Sequence, residues 1–299
     1  MKIAAFSTGD RRRLGVVVES GADVNLADLT DLGVKVSDLA ALWSDWPANR
    51  ELILAGLAEG PPLIPAAEVS WLPPIDPGAT FWAAAANYEE HLREGNFNRP
   101  DYPPFFIRNG QSLVGHGGDV HKPWFSDRLD YEGELAVVIG RRAHLVGEAE
   151  AADYIAGYTC FNDGSVRDWQ RHTTQITVGK NFSRSGALGP WISTADDVPD
   201  VDNRQLETTI NGRQVQSSPV GAAIWGILYV VSYLSAITEL QPGDIVALGT
   251  PGGVGARQDP PLFLSAGDRV SIAIDGVGVL SHGVVEPPAS AEPWPAGVR

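Results

Sequence analysis

The chain has a single cysteine, Cys160, among 299 residues. No disulfide can close within it, which suits a reducing cytoplasm, and a zinc site built on cysteines is excluded. Basic residues are also scarce, and the net charge is −15. Such a surface argues against nucleic acid or an anionic membrane as partner, and solvation alone accounts for it. The N-terminal "MKIAAFSTGDRRRLG" turns charged too early for a signal peptide. Neither an HExxH zinc pattern nor a GxSxG nucleophile elbow occurs. The loop "GTPGGVGARQDPP" is glycine-rich, but Asp259-Pro260-Pro261 arrives before a helix could begin, so it is no dinucleotide fingerprint. It remains able to offer backbone N–H groups and the Thr250 hydroxyl to an anion, or to be a plain tight turn. One apolar run, Pro219 to Ile237, carries no charge and is barely long enough to span a bilayer. It contains Ser232 and Ser235 and ends at the turn Gln241-Pro-Gly-Asp, so it reads as a buried helix.

What is present is a globular composition, 43% hydrophobic and 20% charged, enough to bury a full core. Residues 1–75 read as a small N-terminal domain with two strands around "TGDRRR" and helices at "VSDLAALWSDW" and "NRELILAGLAEG". The proline-dense "PPLIPAAEVSWLPPIDPG" reads as a connector. Residues 76–299 form the larger unit, with a flexible tail from about 287. Its strands are many and do not alternate regularly with helices, so a β-rich α+β fold with a rolled mixed sheet is expected, not a doubly wound one. Asn211-Gly212 marks a hairpin, and helices are expected at Glu89–Gly95, just after Asn162, and near 222–238.

The stretch "DYEGELAVVIG" sets Asp130, Glu132 and Glu134 at the mouth of an apolar strand. Residues two apart on a strand share a side, so Glu132 and Glu134 repel unless something positive sits between them. Oxygen-only ligands suit Mg²⁺, Mn²⁺ or Ca²⁺, and Asp163, in "CFNDGSVRDWQ", is a third candidate ligand; alone it reads as a helix N-cap or turn former. In "NYEEHLREG", Glu94 lies three residues after His91 on one helix face, which would orient the imidazole as a base, although a solvated surface pair has the same spacing. Lys180 and Arg167 could each bind a carboxylate or serve a structural ion pair. Cys160 lies in an apolar run and reads as core.

Taken together, "DYEGEL", "GYTCFNDGSVRDWQ", "GKNFSRSGALGPWIST" and "YVVSYLSAITELQPGDIVALGTPGGVG" resemble, in order and spacing over about 80–285, the fumarylacetoacetate hydrolase family. The resemblance implies a β-rich rolled sheet around a metal site, with a small N-terminal domain. It implies Glu132, Glu134 and Asp163 as ligands of Mg²⁺ or Mn²⁺ (Ca²⁺ being possible chemically), with Lys180 beside the metal. Arg167 and Gln170 would line the pocket, and Thr250 would hold the substrate's acid end. His91 and Glu94 would be the histidine–glutamate pair. The implied activity is metal-dependent hydrolysis of a C–C bond in a 2,4-dioxo acid, an acylpyruvate or fumarylacetoacetate-like compound of aromatic or sugar acid catabolism, through a metal-stabilised enolate. Oxaloacetate decarboxylation, 2-hydroxyhepta-2,4-diene-1,7-dioate-type isomerisation, or non-catalytic metabolite binding would use the same site. A cytoplasmic homodimer is the implied assembly. Arg108 departs from the family pattern, standing where relatives often carry lysine.

Overall fold

The computed structural model describes residues 1–21 and 23–288. The expected flexible tail lies largely outside them. A twelve-stranded mixed sheet forms the body, and a five-stranded sheet faces it. At the centre of the large sheet runs Gly133–Ile139, antiparallel to Ile155–Asn162 on one side and to Ile245–Ala247 on the other. Every residue of Gly133–Ile139 is buried, which is why it is apolar without alternation. Leu135, Val137 and Ile139 pack with Leu206, Ile210 and Ile272 of the five-stranded sheet and with Val230, Val231 and Leu234. Ala136 and Val138 belong to a second core with Leu39, Leu42, Trp43 and Ile53 from the N-terminal helices.

Those helices are α1, Leu39–Ser44, and α2, Trp46–Ala58. The Asp38 side chain accepts from the Ala41 N–H and so caps α1. The N-terminal strands are not a separate layer. Lys2–Thr8 pairs antiparallel with Gly186–Thr194, so both expected units share one sheet. The proline-dense connector differs from expectation: Ile64–Pro65 and Ser70–Leu72 are short strands paired with Asp23–Asp28 and Lys2–Thr8. Pro65 is tolerated because its strand ends the sheet, where one side needs no N–H donor.

The hairpin at Asn211-Gly212 joins Gln205–Ile210 to Arg213–Pro219, with φ of 51° and 81° at the two turn residues, as a primed turn requires. Of the two remaining helices, α3 covers Glu89–Gly95 as expected, and α4 covers Ile227–Ile237. The latter starts late because Ala223 bridges Tyr88, and Trp225 and Asn87 exchange two hydrogen bonds. Among the described residues no helix is long and apolar enough to cross a membrane. The helix expected after Asn162 is absent. Ser165–Val166 pairs instead with Leu129–Asp130, and a single 3-10 turn follows at Trp169–Arg171.

Candidate active site

Glu132 and Glu134 do share a side. Their oxygens and one of Asp163 lie within 4.8 Å of one another, and all three residues are buried. Two neighbouring strands build the cluster: Gly133 pairs with Asn162, and the Asp163 N–H donates to Glu132 O at 2.9 Å. The residue between the glutamates is glycine because a Cβ there would come within 2.1 Å of Thr208 Oγ1 on the facing sheet.

One positive group beside the cluster is Lys180, which bridges Glu132 and Asp163 and not Glu134. Its Nζ donates to Glu132 Oε2 at 2.7 Å and to Asp163 Oδ2 at 2.6 Å. Two of its three N–H groups are thus used, which leaves one for a ligand. Glu132 Oε1 pairs with Arg167 Nη1 at 2.6 Å. Burial pushes Glu132 toward its neutral form, but Lys180 and Arg167 outweigh burial and hold its pKa low. Glu134 has no ion pair among the described residues, and Lys180 lowers its pKa only from a distance. Its one hydrogen bond among the described residues is from the Gly249 N–H at 3.0 Å. Burial, then Asp163 and Glu132, push its pKa well up. A divalent cation would relieve this buried repulsion, and the all-oxygen donor set fits a hard ion such as Mg²⁺ or Mn²⁺.

The cluster opens into a cavity of about 480 Å³, within the roughly 300–1,000 Å³ usual for small-molecule sites. Glu132, Glu134 and Lys180 line it, and so do His91, Arg167, Gln170 and Thr250. His91 is placed by α3. Glu89 and Glu90 occupy the first turn, where the helix dipole favours acid, and Asn96 closes the end in the left-handed region. The buried Asn87 ties the helix base down through Leu248 O at 2.8 Å. His91 Nδ1 meets Glu94 Oε1 at 2.8 Å, and Glu94 Oε2 accepts the Gly253 N–H at 2.7 Å. Gly253 has φ of +100°, a conformation that favours glycine. Glu94 therefore does not line the cavity itself but fixes His91, whose Nε2 has no partner among the described residues.

Arg167 donates through Nη1 to Gln170 Oε1 at 3.1 Å, which frees the Gln170 amide N–H₂. Its Nη2 is buried without a partner, an orphan donor at the cavity wall. Thr250 is already committed: its hydroxyl donates to Gly133 O at 2.9 Å and accepts from Gln216 at 2.8 Å. A substrate acid end would compete with Gly133 for that proton.

Three residues support the site in roles that the sequence did not assign them. Asp130 accepts from Arg167 Nε at 2.8 Å and from the N–H groups of Gly255 and Ala256 at 2.8 and 2.9 Å. One carboxylate thus fixes both the arginine and the glycine-rich loop, and its place two residues before Glu132 was the available signal. Arg108 lies fully buried behind Asp163, 2.5 Å from Oδ1, and also donates to Ser112, Ser185 and Gly164 O. It does not line the cavity. The third support is His282, whose neighbours in the sequence offer it no partner. Asn162 Oδ1 accepts the Glu132 N–H at 3.0 Å, so its Nδ2 donates to His282 Nε2 at 2.8 Å.

Burial lowers the His282 pKa to about 4, against which the contact with Gly283 O works weakly. Above pH 6.5 the ring is neutral folded or unfolded. As pH falls toward 4 only the unfolded chain gains the proton, so stability drops, by about 3 kcal/mol in full. Denaturant unfolding between pH 7.5 and 4.5 is expected to show this slope, and His282→Gln to lose that share of it. An unchanged slope in the variant would exclude His282.

The sequence model for the fumarylacetoacetate (FAA) hydrolase C-terminal domain matches residues 80–285. Among curated relatives, the mitochondrial oxaloacetate tautomerase FAHD2A of Bos taurus is 35% identical over 240 residues, 80% of this chain and 76% of that protein. Among solved structures, maleylpyruvate hydrolase from Sphingobium sp. SYK-6, in complex with manganese(II) ion and pyruvate, is 31% identical. It has a TM-score of 0.80 over 96% of this chain and 100% of that one. The 5-carboxymethyl-2-hydroxymuconate delta-isomerase of Mycobacterium smegmatis is 29% identical, with a TM-score of 0.76 over the same shares. With a family match over well more than half its length, and the fold and buried acid cluster in place, the chain belongs to the fumarylacetoacetate hydrolase family.

Proposed function

We propose that this chain is a divalent-metal-dependent hydrolase that cleaves a carbon–carbon bond in a 2,4-dioxo acid. One observation carries the reading: His91, braced by Glu94, faces the same cavity as the acid cluster. Glu132, Glu134 and Asp163 would hold the ion. Once bound, it supplies Lewis acidity to the 2-oxo acid head and offsets the negative charge that gathers there.

The rest falls to the chain's own residues. Arg167 Nη2 and the Gln170 amide are the donors for the head carboxylate. His91 Nε2 takes a proton from water, and Glu94 stabilises the resulting imidazolium through Nδ1. The hydroxide adds to the C4 carbonyl. The C3–C4 bond then breaks, its electrons staying with the 2-oxo acid fragment, where the proton taken from water ends on C3. The free N–H of Lys180 faces the charge that develops on that fragment. The acyl half leaves as a carboxylic acid.

A second reading, proton transfer at C3 without water attack, is favoured by the similarity to an oxaloacetate tautomerase and to a delta-isomerase. It gives His91 the same base role. Decarboxylation would leave the His91–Glu94 pair without a task. Product NMR with Mg²⁺ tests these readings on acetopyruvate, maleylpyruvate and oxaloacetate, each with and without EDTA. Metal-dependent pyruvate plus a second carboxylic acid is the expected result. Keto–enol exchange of oxaloacetate without loss of carbon would favour the second reading, and CO₂ release alone would overturn both.

A further inference from the structure

The glycine-rich loop does offer its N–H groups to anions, and those anions are the chain's own carboxylates. Gly253 donates to Glu94, while Gly255 and Ala256 donate to Asp130. Glu94 braces His91, and Asp130 holds Arg167. The base and the arginine for the acid head thus hang on one short loop, and whatever fixes that loop bears on the chemistry.

Gly253 is the critical point. A glutamate gripped at one oxygen keeps much of its rotamer freedom, and its second anchor here is the Gly253 N–H. Gly253 has no side chain to pack, so its carbonyl must hold it. That oxygen accepts from the Tyr131 hydroxyl at 3.1 Å and from Gln258 Nε2 at 3.2 Å. Gln258 Nε2 also donates to the Tyr131 hydroxyl at 2.7 Å, which closes a triangle. Among the described residues no other group donates to that carbonyl. Tyr131 is fully buried, and its own N–H donates to Asp130 Oδ1 at 2.9 Å. Neither Tyr131 nor Gln258 lines the cavity, so neither touches a substrate.

Resting on the base role proposed above, we infer that Tyr131, together with Gln258, is a positioning residue for His91. Tyr131 fixes Gly253, Gly253 fixes Glu94, and Glu94 fixes the imidazole, through bonds of 3.1, 2.7 and 2.8 Å. The last of these keeps the ring proton on Nδ1 and leaves Nε2 open to take one. No member of this relay bonds Glu134 or Asp163, so its loss reaches the turnover rate and spares the metal site.

The test reads the ring itself, so it does not depend on which reaction the site performs. ¹H–¹⁵N NMR of the histidine rings is recorded on metal-free protein at alkaline pH, with His91 assigned through His91→Ala. The wild type should show one His91 tautomer, protonated at Nδ1. Tyr131→Phe removes a single oxygen atom, and Gln258→Met loosens the same carbonyl from a half-buried position should the first variant fold poorly. Each should mix the two tautomers and lower kcat by about 10-fold, while KM and Mg²⁺ affinity hold. That loss should vanish in the His91→Ala background, whereas a merely structural role would persist there. A mixed tautomer in the wild type, an unchanged His91 ring in both variants, or a loss that persists without His91 would each overturn the inference. If no dioxo acid is cleaved but the tautomers mix as expected, the hydrolase reading fails and the positioning role stands.

Discussion

Replacing Glu132 by glutamine should abolish Mg²⁺ binding and turnover together and weaken the metal-free protein. The carboxylate answers both Lys180 and Arg167, at 2.7 and 2.6 Å. Removing one partner of a buried pair typically costs about 3–5 kcal/mol. Part of that is recovered here, because Lys180 keeps Asp163 and Arg167 keeps Asp130. Glu134→Gln gives the sharper contrast. It too should abolish Mg²⁺ binding, yet the metal-free protein should become more stable, because a carboxylate held by one N–H and repelled by two neighbours is removed. Thermal unfolding with and without Mg²⁺, beside a Mg²⁺ titration, separates the two variants. Undiminished Mg²⁺ affinity in either would take that residue out of the ligand set.

The second large effect is on chemistry alone. His91→Ala should lower kcat for hydrolysis by about 10²- to 10⁴-fold, the usual worth of a positioned general base. Mg²⁺ affinity should hold, because no oxygen of the cluster bonds His91. The pairing of Glu94 with Gly253 is also independent of the ring. Single-turnover rates on the substrate found by NMR would measure it. Hydrolysis at the original rate would mean that another group activates water.

Much of this site was legible in the sequence because its parts are local. The alternation of Glu132 and Glu134 and the three-residue step from His91 to Glu94 are set by strand and helix periodicity, and the geometry follows both. The supports were less legible. Arg108 reaches Asp163 across 55 residues, and Asn162 reaches His282 across 120. No periodicity links such positions; only the sheet order does. Asp163 shows the same limit. Its setting suggested a cap or turn, but Gly164 packs so closely on Ser185 that a Cβ there would come within 1.8 Å of its carbonyl oxygen. That close approach requires glycine, and pairing with Leu129–Asp130 makes Ser165–Val166 a strand where a helix was expected. The proline-dense stretch misled in the opposite sense, since proline marks a strand at a sheet edge as well as a linker.

The pairing of Lys2–Thr8 with Gly186–Thr194 reaches beyond the fold. The family match begins at residue 80, so the N-terminal strand lies outside the matched residues yet joins their sheet. Were residues 1–79 lost, the backbone of Ile192 and Ser193 would become a bare edge, a template for another chain. The N-terminal region is therefore not free to drift as a detachable module. Whatever sequence it acquires must still supply a strand of matching register, and the large sheet inherits that condition with every variation in front of it.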